Sequence, residues 1–558
     1  MADVRLRGMP TGLDYPRVGL GAVLAGSARR FPHRAAFVEE DRTITFAELH
    51  DQARRVAQGL RTRGIQPGET VSLLLENSLW FPVCYYGALL AGAVVNPLNP
   101  AQPASTLREQ LDEAGSVAVF SGAATLPVLA EAAAPGLRLI LALPEARSGV
   151  EQPAAGVLGL EELLAVPAVD GATVERSGDD LAHLSFTGGT TGRSKAVRGL
   201  HRQIVANLLQ GACWRAACLP EPDGQGGIAL LPVPEAANPH AGAPGEGLSV
   251  SVAPMFHAMG LVSLSLGVLT GSTAVLAGRF DPRRYLDLVE RYQADSVAGS
   301  PPMFRALLAD PALGGRDLKA VRVVTSGAAP IDQVTLAGLR RVFPNACVIE
   351  GYGLTEATMA LTLGPVGPTT GAPAPLGTVG LPLFDTRLQI RDVLDPQRVL
   401  GPDEIGEVWA RGPQIADGYH NAPQLTAGQF VDGWLRTGDL GRLDADGYLF
   451  LEGRAKDMLI YKGYNVYPER LEELLCTHPA VAQASVVGVP AEGVGEIPVA
   501  YVVRRPGVAA TEDELLAHVA DRVVPYARVR GLRFVDALPV SAAGKILKNR
   551  LRADWYAD

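Results

Sequence analysis

Short apolar runs alternate with helical segments along this chain of 558 residues. The runs at 71–75, 139–143 and 321–325 are largely apolar, which is typical of strands buried on both faces. Strands that alternate with helices form parallel sheets, and the helices cover the faces of those sheets. The pattern therefore predicts an α/β fold.

Segment 45–64 is the clearest predicted helix. Thr45 and Glu48 have the spacing of a capping box, which satisfies free backbone N–H groups at a helix start. Gly64 marks the predicted end of the helix. Between these residues, apolar side chains recur at helical spacing, at Leu49, Ala53, Val56, Ala57 and Leu60.

The chain is too long for one ordinary hydrophobic core, and about 150 residues per domain suggests three or four lobes. The clearest boundary falls at 454–457. Beyond it, 468–489 has the pattern of a helix and then a strand, and 511–523 has the pattern of a second helix with acidic residues in its first turn. We predict a large N-terminal domain at 1–455 and a small α+β domain at 456–558.

Charge and hydropathy indicate a small-molecule partner. The formal net charge of -9 gives no reason to expect binding to nucleic acid or to an anionic membrane. The most apolar run, 79–95, contains Pro82, Gly87 and Gly92 and is short for a membrane span. We expect a buried helix there and no membrane span.

Five scattered cysteines show no C-x-x-C spacing, so the sequence favours neither a zinc site nor a disulfide framework. The first twenty residues have no continuous apolar core of signal-peptide type. Both observations favour a reducing compartment, and we expect the cytoplasm. Segment 220–249 is dense in Pro, Gly and Ala, which predicts a long surface loop or insertion.

The stretch FTGGTTGRSKAV, residues 186–197, has the composition of a phosphate-binding loop. Its glycines let backbone N–H groups approach an anion, its hydroxyls can donate to phosphate oxygens, and Lys195 supplies a positive charge. It is not the G-x-x-x-x-G-K-[ST] loop, because Ser194 precedes the lysine and no Ser or Thr follows it. Taken alone, the stretch also fits a flexible linker.

Lysine is scarce in this sequence, which contains only six lysines among 50 basic residues. Lysine and arginine are not equivalent, since the ammonium is a compact, mobile charge and the guanidinium is a planar fork. A chain that otherwise uses arginine is expected to keep lysine where that ammonium is needed. The six are Lys195, Lys319, Lys456, Lys462, Lys545 and Lys548.

Six motifs in order resemble the adenylate-forming superfamily, which comprises acyl-CoA and aryl-CoA synthetases, peptide-synthetase adenylation domains and firefly-type luciferases. The resemblance spans nearly the whole chain. Ser194 and Ala196 stand where Pro and Gly are usual, but the glycines and Lys195 are kept. Besides the loop, the motifs are SGAAPI (326–331), GYGLTEAT (351–358), GWLRTGDLGRLDADGYLFLEGRAKD (433–457), YKGYNVYPERLEE (461–473) and PVSAAGKILKNRLR (539–552).

The resemblance implies an acyl-CoA synthetase fold, with a large multi-lobed N-terminal α/β domain and a small mobile α+β C-terminal domain. It also implies an AMP-forming acid–thiol ligase that uses ATP, Mg²⁺ and CoA. A carboxylic acid and ATP would give acyl-AMP and pyrophosphate, and CoA would then displace AMP. Loading onto a carrier-protein pantetheine and a nucleotide-binding pseudoenzyme remain alternatives. The motifs fit a monomer or a homodimer.

By the same resemblance, the nucleotide-binding residues follow from the motifs. Thr355 would contact phosphate, Glu356 would bind Mg²⁺, and Asp439 and Arg454 would bind the ribose. Tyr352 would stack on adenine. The other adenine-lining residues would be Gly327, Ala328, Ala329, Glu350 and Gly351. The loop residues at the phosphates would be Thr187, Gly188, Gly189, Thr190, Thr191, Gly192 and Lys195.

The resemblance also assigns the acyl end. His257 in PMFHAMGL would border the acid and gate access of the thiol. No acidic residue lies between Ser249 and Gly278, so an acid with an ammonium group is disfavoured. Small residues predict room for a long or bulky acid, at Ala258, Met259, Gly299, Ser300, Gly327 and Gly351.

Two half-reactions at one site imply a rotation of the C-terminal domain. Lys456 matches the hinge position, and Lys545 matches the lysine that bridges the substrate carboxylate and phosphate during adenylation. Gly463 and Asn465 match the loop that faces the thiol after rotation.

Overall fold

The computed structural model describes residues 5–144, 157–169, 171, 173–187, 194–236, 240, 242–327, 331–371, 374–462, 464–491, 493–540 and 546–555. The α-helices of this part of the chain are α1 (Gly21–Arg30), α2 (Phe46–Thr62), α3 (Trp80–Leu90), α4 (Ala104–Glu113), α5 (Leu126–Ala132), α6 (Leu160–Leu164), α7 (His201–Ala216), α8 (Ala258–Thr270), α9 (Pro282–Arg291), α10 (Pro301–Ala309), α11 (Gln333–Val342), α12 (Pro423–Gln429), α13 (Pro468–Cys476), α14 (Glu512–Ala520) and α15 (Lys548–Asp554).

The described strands fall into four sheets and one separate hairpin. They are β1 (Ala35–Glu39), β2 (Arg42–Thr45), β3 (Thr70–Leu74), β4 (Val94–Pro97), β5 (Ser116–Ser121), β6 (Leu139–Ala142), β7 (Val157–Gly159), β8 (Leu181–Thr187), β9 (Lys195–Leu200), β10 (Cys218–Pro222), β11 (Ile228–Pro232), β12 (Leu248–Ser251), β13 (Thr273–Leu276), β14 (Ser296–Gly299), β15 (Val323–Ser326), β16 (Cys347–Tyr352), β17 (Thr362–Leu363), β18 (Leu381–Pro382), β19 (Arg387–Arg391), β20 (Gly406–Arg411), β21 (Phe430–Val431), β22 (Trp434–Leu443), β23 (Leu449–Arg454), β24 (Leu459–Tyr461), β25 (Tyr464–Val466), β26 (Val481–Ala491), β27 (Gly495–Arg504) and β28 (Gly531–Phe534).

Two large, mainly parallel sheets form the centre of the fold, as the alternation of strands and helices predicts. The first sheet has the order β7-β6-β5-β3-β4-β8-β9, and the second has the order β18-β17-β16-β15-β14-β12-β13-β1-β2. All three apolar runs singled out in the sequence lie on strands of these sheets, at β3, β6 and β15. The α/β expectation is confirmed.

Helix α2 forms where its caps and its apolar face predict. Its start is closed by a capping box, in which the Glu48 N–H donates to Thr45 Oγ1 and the Thr45 N–H donates to the Glu48 carboxylate. The predicted apolar face is fully buried. A Cβ at Gly87 of α3 would overlap Val56, so this glycine lets α2 and α3 pack closely.

The uncharged run at 79–95 is a buried helix followed by a strand, because α3 ends at Leu90 and β4 begins at Val94. Every residue of α3 after Trp80 is buried. No helix in the described part of the chain is long and apolar enough to cross a membrane.

Segment 220–249 corrects a prediction made from composition. Residues 218–232 form the antiparallel β10–β11 hairpin, in which Pro220 pairs with Leu230. Residues from Leu248 onward form β12, a strand inside the second sheet. Prolines are tolerated in this hairpin because it is isolated from the large sheets and need not supply every N–H to a ladder.

A third sheet is antiparallel and has the order β19-β20-β22-β21, with β23 paired to β22. A fourth sheet, β25-β24-β27-β26 with β28 beside β27, lies after residue 457. It has its own apolar core with the flanking helices, which includes Leu471, Val486 and Leu515. Helices and strand here match the sequence prediction for 468–489 and 511–523.

Candidate functional site

The predicted phosphate loop connects β8 to β9, which pair in antiparallel fashion at one edge of the first sheet. Thr187 and Lys195 are direct partners at the end of this ladder, so the loop between them begins and ends at neighbouring positions. The remaining predicted loop residues lie outside the described residues and stay predictions, namely Gly188, Gly189, Thr190, Thr191 and Gly192.

Lys195 and Glu356, both singled out in the sequence, contact the same side chain, Tyr419. The Nζ of Lys195 is 5.2 Å from the centre of the Tyr419 ring, and the Tyr419 hydroxyl donates to Glu356 Oε1 at 2.7 Å. We call Lys195, Glu356 and Tyr419 the Glu356 cluster. Burial, followed by the Glu356 charge, raises the pKa of Tyr419 above its usual range, so the hydroxyl keeps the proton that it donates.

Tyr419 was missed from the sequence because no local pattern marks it. A bridge between Val197 and Tyr419 places it beside β9, and the His420 N–H donates to the Ala196 carbonyl at 2.8 Å. These contacts join positions more than 200 residues apart, and only the folded chain brings them together.

Thr355 and Glu356 lie in a single 3₁₀ turn, Thr355–Ala357, directly after β16. The Ala416 N–H donates to the Glu356 carbonyl at 2.9 Å, which ties this turn to the loop that carries Tyr419. Both predicted residues are half-buried. The turn therefore presents a hydroxyl and a carboxylate at the end of a central strand, beside Tyr419.

Tyr352, Asp439 and Arg454 form a second group, here called the Asp439 cluster. The Tyr352 hydroxyl donates to Asp439 Oδ2 at 2.6 Å, and Arg454 Nε lies 2.9 Å from Asp439 Oδ1. Asp439 is only 6% exposed. Asp439 and Arg454 are register partners on β22 and β23, so the antiparallel ladder places the two side chains together.

The charges in the Asp439 cluster stabilise one another. The Asp439 carboxylate raises the pKa of Arg454, while burial, followed by Asp439, raises the pKa of Tyr352 well above its usual range. Both oxygens of Asp439 are thus engaged by groups that keep their protons. This part of the site is ordered by its own hydrogen bonds.

Glu350 and Gly351 occupy β16 just before Tyr352. Alternation along a strand places Glu350 on the same face as Tyr352 and Gly351 on the opposite face. Burial raises the pKa of Glu350 to about 7. Gly327 follows β15, and a Cβ at that position would lie 4.0 Å from the Gly351 carbonyl oxygen. Ala328 and Ala329 lie outside the described residues.

His257 caps the start of α8, where its Nδ1 accepts the Met259 N–H at 3.4 Å. This long hydrogen bond gives His257 a structural role at a helix start. Met259, two residues after His257, lies near Gly327, since a Cβ at Gly327 would be 3.7 Å from Met259 Sδ. The PMFHAMGL segment therefore lies near the end of β15, and its predicted role at the acyl pocket remains a prediction.

Open space lies on the face of the second sheet that carries Thr325 and Gly327, where Met259 of α8 is close to Gly327. Ala298 is exposed although β14 is an interior strand of that sheet, and its register partner Thr325 is half-buried. On α8, a Cβ at Gly267 would meet nothing within 4 Å. We call the space beside Gly327, Met259, Ala298 and Thr325 the channel.

Gly299 does not line the channel, which corrects one of the predicted pocket residues. Its Cβ would overlap Met303 Sδ on the other face of the second sheet, where Val297 and Phe304 are also packed. Successive strand residues point to opposite faces, so the neighbouring Ala298 faces the channel instead. Sequence composition identified the right strand but could not show which of its neighbouring residues faces the channel.

The predicted hinge residue Lys456 is exposed, in a turn after β23. Beyond the turn, α13 contacts β23, since a Cβ at Gly453 would lie 2.5 Å from Glu469 Oε2. Gly463 and Lys545 lie outside the described residues, and the side chain of Asn465 is not described. Their roles remain predictions.

Two family models match this chain, one over most of its length and one near its C-terminal end. The family model of AMP-binding enzymes matches residues 24–420, and that of the AMP-binding enzyme C-terminal domain matches residues 470–545.

Two relatives and one solved structure illustrate the similarity. The chain is 32% identical to peroxisomal OPC-8:0-CoA ligase 1 of Arabidopsis thaliana, covering 96% of this chain and 93% of that protein. It is 34% identical to 4-coumarate–CoA ligase 2 of Oryza sativa subsp. japonica, covering 92% and 88%. The crystal structure of ATP-bound MatB from Rhodopseudomonas palustris superimposes with a TM-score of 0.82 at 29% identity, covering 96% of this chain and 99% of that one.

The match to the first model spans well over half of the chain, and both relatives align over nearly all of it. The acyl-CoA synthetase-like fold and the ATP- and CoA-dependent ligase expected from the motifs are confirmed. The chain belongs to the family of AMP-binding enzymes, as an AMP-forming acid–thiol ligase.

Proposed function

We propose that the Asp439 cluster binds the ribose and adenine of ATP and that the Glu356 cluster binds its phosphates. The observation that carries this assignment is the buried Asp439, which Tyr352 and Arg454 hold in place. A carboxylate fixed in this way can accept both ribose hydroxyl protons in hydrogen bonds. Tyr352 lies only three residues before Thr355, so β16 and the following turn span the nucleotide from one cluster to the other.

Mg²⁺ fits the Glu356 cluster. Glu356 Oε1 accepts the Tyr419 hydroxyl, and the carboxylate is half-buried at the end of a strand beside Lys195. No group of three potential metal-ligating side chains occurs within the described ranges. Mg²⁺ commonly binds one or two carboxylates together with substrate phosphates, and a single Glu suits that mode. Bound there, the ion would neutralise phosphate charge.

The reaction begins when a carboxylate oxygen of the acid attacks the α-phosphorus of ATP. The bond from that phosphorus to the bridging oxygen breaks, and pyrophosphate leaves with the electron pair. Lys195 and Lys545 would stabilise the negative charge that develops on the phosphates and the carboxylate. In the second step a thiolate attacks the acyl carbon, and AMP leaves to give the thioester.

The channel is the proposed acyl site. It opens at Gly327 and Met259, where the strands of the second sheet end, and it continues past Ala298 and Thr325. Small side chains leave room for a bulky or long acid. The two relatives described above are named as CoA ligases for OPC-8:0 and 4-coumarate, which supports a small carboxylic acid as substrate.

We place the boundary of a rotating domain at Lys456, with 1–455 and 456–558 as the two domains. The separate apolar core of the fourth sheet and the exposed turn at Lys456 support this division. Rotation would exchange Lys545 for the loop of Gly463 and Asn465 at the acyl carbon. We also propose a reducing compartment such as the cytoplasm, because all five cysteines are free thiols.

Pyrophosphate release over a panel of aliphatic and aryl acids tests the proposal, with and without Mg²⁺. Each acid is assayed with CoA, with a pantetheine-bearing carrier protein and with neither. We expect Mg²⁺-dependent pyrophosphate release with some acids and thioester formation with CoA. Thioester on the carrier protein alone would overturn the choice of CoA, and no acid-dependent release over the whole panel would overturn the proposed function.

A further inference from the structure

Arg215, the penultimate residue of α7, is a half-buried cation that forms no ion pair with a described residue. Its Nη2 donates to Thr325 Oγ1 at 3.4 Å, which is a long hydrogen bond, and it makes no other hydrogen bond to a described side chain or carbonyl. Burial lowers the pKa of Arg215. Charged groups that are shielded from water are nearly always paired, so an arginine held in this way needs an explanation.

Asp295 is the acidic group nearest to Arg215, and it is already shared. Its Oδ2 accepts the Leu248 N–H at 3.0 Å, and the positive charges of Arg322 and Arg34 also act on it. Burial raises the pKa of Asp295. The charge of Asp295 acts on Arg215, but the two side chains form no ion pair and no hydrogen bond.

The guanidinium of Arg215 faces the channel. It contacts Thr325, whose side chain lies on the same face of β15 as Gly327, and Thr325 is the register partner of the exposed Ala298. Thr325 precedes Gly327 by two residues, which is roughly 7 Å along a strand. An acid whose reacting carboxylate lies at the strand ends would reach Arg215 with its far end.

We propose that the acid activated by this site carries a second carboxylate at its far end, and that Arg215 binds it. This inference rests on the proposed function of the channel as the acyl site. A guanidinium presents two parallel N–H donors that match a carboxylate, so the pair would be bidentate and would supply the missing counter-charge. Thr325 positions the guanidinium by its hydrogen bond. A purely apolar acid in the channel would leave the guanidinium of Arg215 without an ion-pair partner.

The first test uses the wild-type enzyme and a matched pair of substrates. The pair is a linear dicarboxylic acid and its monomethyl ester. The acid has about six to ten carbons, so that its length is on the order of the distance along the strand given above. The two have nearly the same shape, but the ester lacks the distal charge. We expect kcat/KM for pyrophosphate release to be about 10-fold or more higher for the diacid, as charge-assisted hydrogen bonds predict. Equal values, or preference for the ester at every length, would overturn the proposal.

The second test asks whether Arg215 causes the preference. Arg215→Met should reduce the diacid-to-ester ratio to near one, and Thr325→Val should reduce it less. Arg341→Met is the matched control, because Arg341 is exposed on α11 and its replacement should leave the ratio unchanged. An unchanged ratio in Arg215→Met, or in Thr325→Val where the first variant does not fold, would overturn the assignment.

Failure of this proposal differs from failure of the proposed function. If other acids of the panel release pyrophosphate while the diacid has no advantage, the substrate assignment is wrong and the ligase activity stands. If no acid releases pyrophosphate, the proposed function itself is wrong.

Discussion

The Asp439 cluster and the channel are built in opposite ways. Asp439 is buried, and both of its carboxylate oxygens are engaged by Tyr352 and Arg454. The channel instead contains an exposed alanine on an interior strand and an arginine with a single long hydrogen bond. One region satisfies its polar groups within the protein, whereas the other leaves space and charge to be met by a ligand.

On the proposed assignment, this difference separates the invariable part of the reaction, the nucleotide, from the variable part, the acid. The nucleotide is the same in every turnover, so its site can be ordered in advance, which lowers the entropic cost of binding. The acid determines the identity of the product, and specificity then depends on the shape and charge of the channel. Mutations in the two regions should therefore change different kinetic parameters.

The largest effect is expected from Lys545→Ala. Loss of the ammonium that stabilises charge during adenylation should reduce pyrophosphate release about 100-fold to 1,000-fold. Conversion of supplied acyl-AMP to acyl-CoA should be nearly unchanged. Lys319→Ala is the control, because Lys319 is exposed and distant from both clusters in the described fold. An equal loss of both half-reactions would contradict the separate roles assigned to the two steps.

Asp439→Asn should weaken the nucleotide end. The variant leaves the half-buried Arg454 without its counter-ion, and loss of a charged hydrogen-bond partner costs about 1 to 3 kcal/mol. We expect the KM for ATP to rise at least tenfold, with the order of preference among acids unchanged. Asp432→Asn, in an exposed turn, is the control. A changed acid preference with unchanged ATP dependence would refute the assignment of Asp439 to the nucleotide.

Gly327→Val should narrow the mouth of the channel. The added side chain would face Met259, whose Sδ lies 3.7 Å from a Cβ at position 327, so the backbone tolerates the change. We expect activity with the largest acids to fall about tenfold while the smallest acids are spared. Gly351→Val is a poorer probe, because its Cβ would lie 2.6 Å from Leu363. Uniform loss across acid sizes would mean that Gly327 does not border the acid.

Tyr419→Phe should have a smaller effect, on Mg²⁺ dependence. The variant removes the hydroxyl that donates to Glu356 but keeps the ring beside Lys195. Loss of one hydrogen bond to a carboxylate costs about 1.5 kcal/mol or less. The Mg²⁺ concentration for half-maximal activity should change several-fold, and Tyr419→Leu should change the ATP dependence as well. Wild-type behaviour in both variants would exclude Tyr419 from the phosphate end.

The smallest predicted effect is a pH dependence of stability at α13. Burial raises the pKa of Glu469 to about 7, with Lys548 opposing the shift and Glu472, Asp439 and Asp457 adding to it. The folded state binds this proton more tightly than the unfolded state, so stability falls as pH rises from about 5 to 8.

Glu350 contributes in the same direction, since burial also raises its pKa to about 7. The melting temperature should therefore decrease by a few degrees over this range, and Glu469→Gln should reduce the decrease. A full decrease in the variant would contradict this interpretation.

Much of the fold followed from local patterns. The capping box and apolar face of α2 and the run that becomes β15 needed only neighbouring residues. Ordered motifs likewise singled out Thr355 and Glu356, which lie in one turn next to Tyr419. Local patterns were sufficient for the secondary structure, whereas the roles of these two residues remain predictions.

Long-range register could not be predicted. A bridge to Val197 places Tyr419 where it can donate to Glu356, and a long hydrogen bond joins Arg215 of α7 to Thr325 of β15. Because successive strand residues point to opposite faces of the sheet, Ala298 rather than Gly299 faces the channel. Composition also misjudged segment 220–249, where strand pairing orders a stretch rich in Pro and Gly.

The independence of the two regions is tested most directly by a double-mutant cycle of Asp439→Asn and Gly327→Val. The measurement is kcat/KM for pyrophosphate release, with ATP varied at saturating acid and then with a large acid varied at saturating ATP. Independent regions predict that the double variant shows the product of the two single fold-changes, within about 0.5 kcal/mol. A coupling free energy well above that value would contradict the separation of a preordered nucleotide end from an adaptable acyl channel.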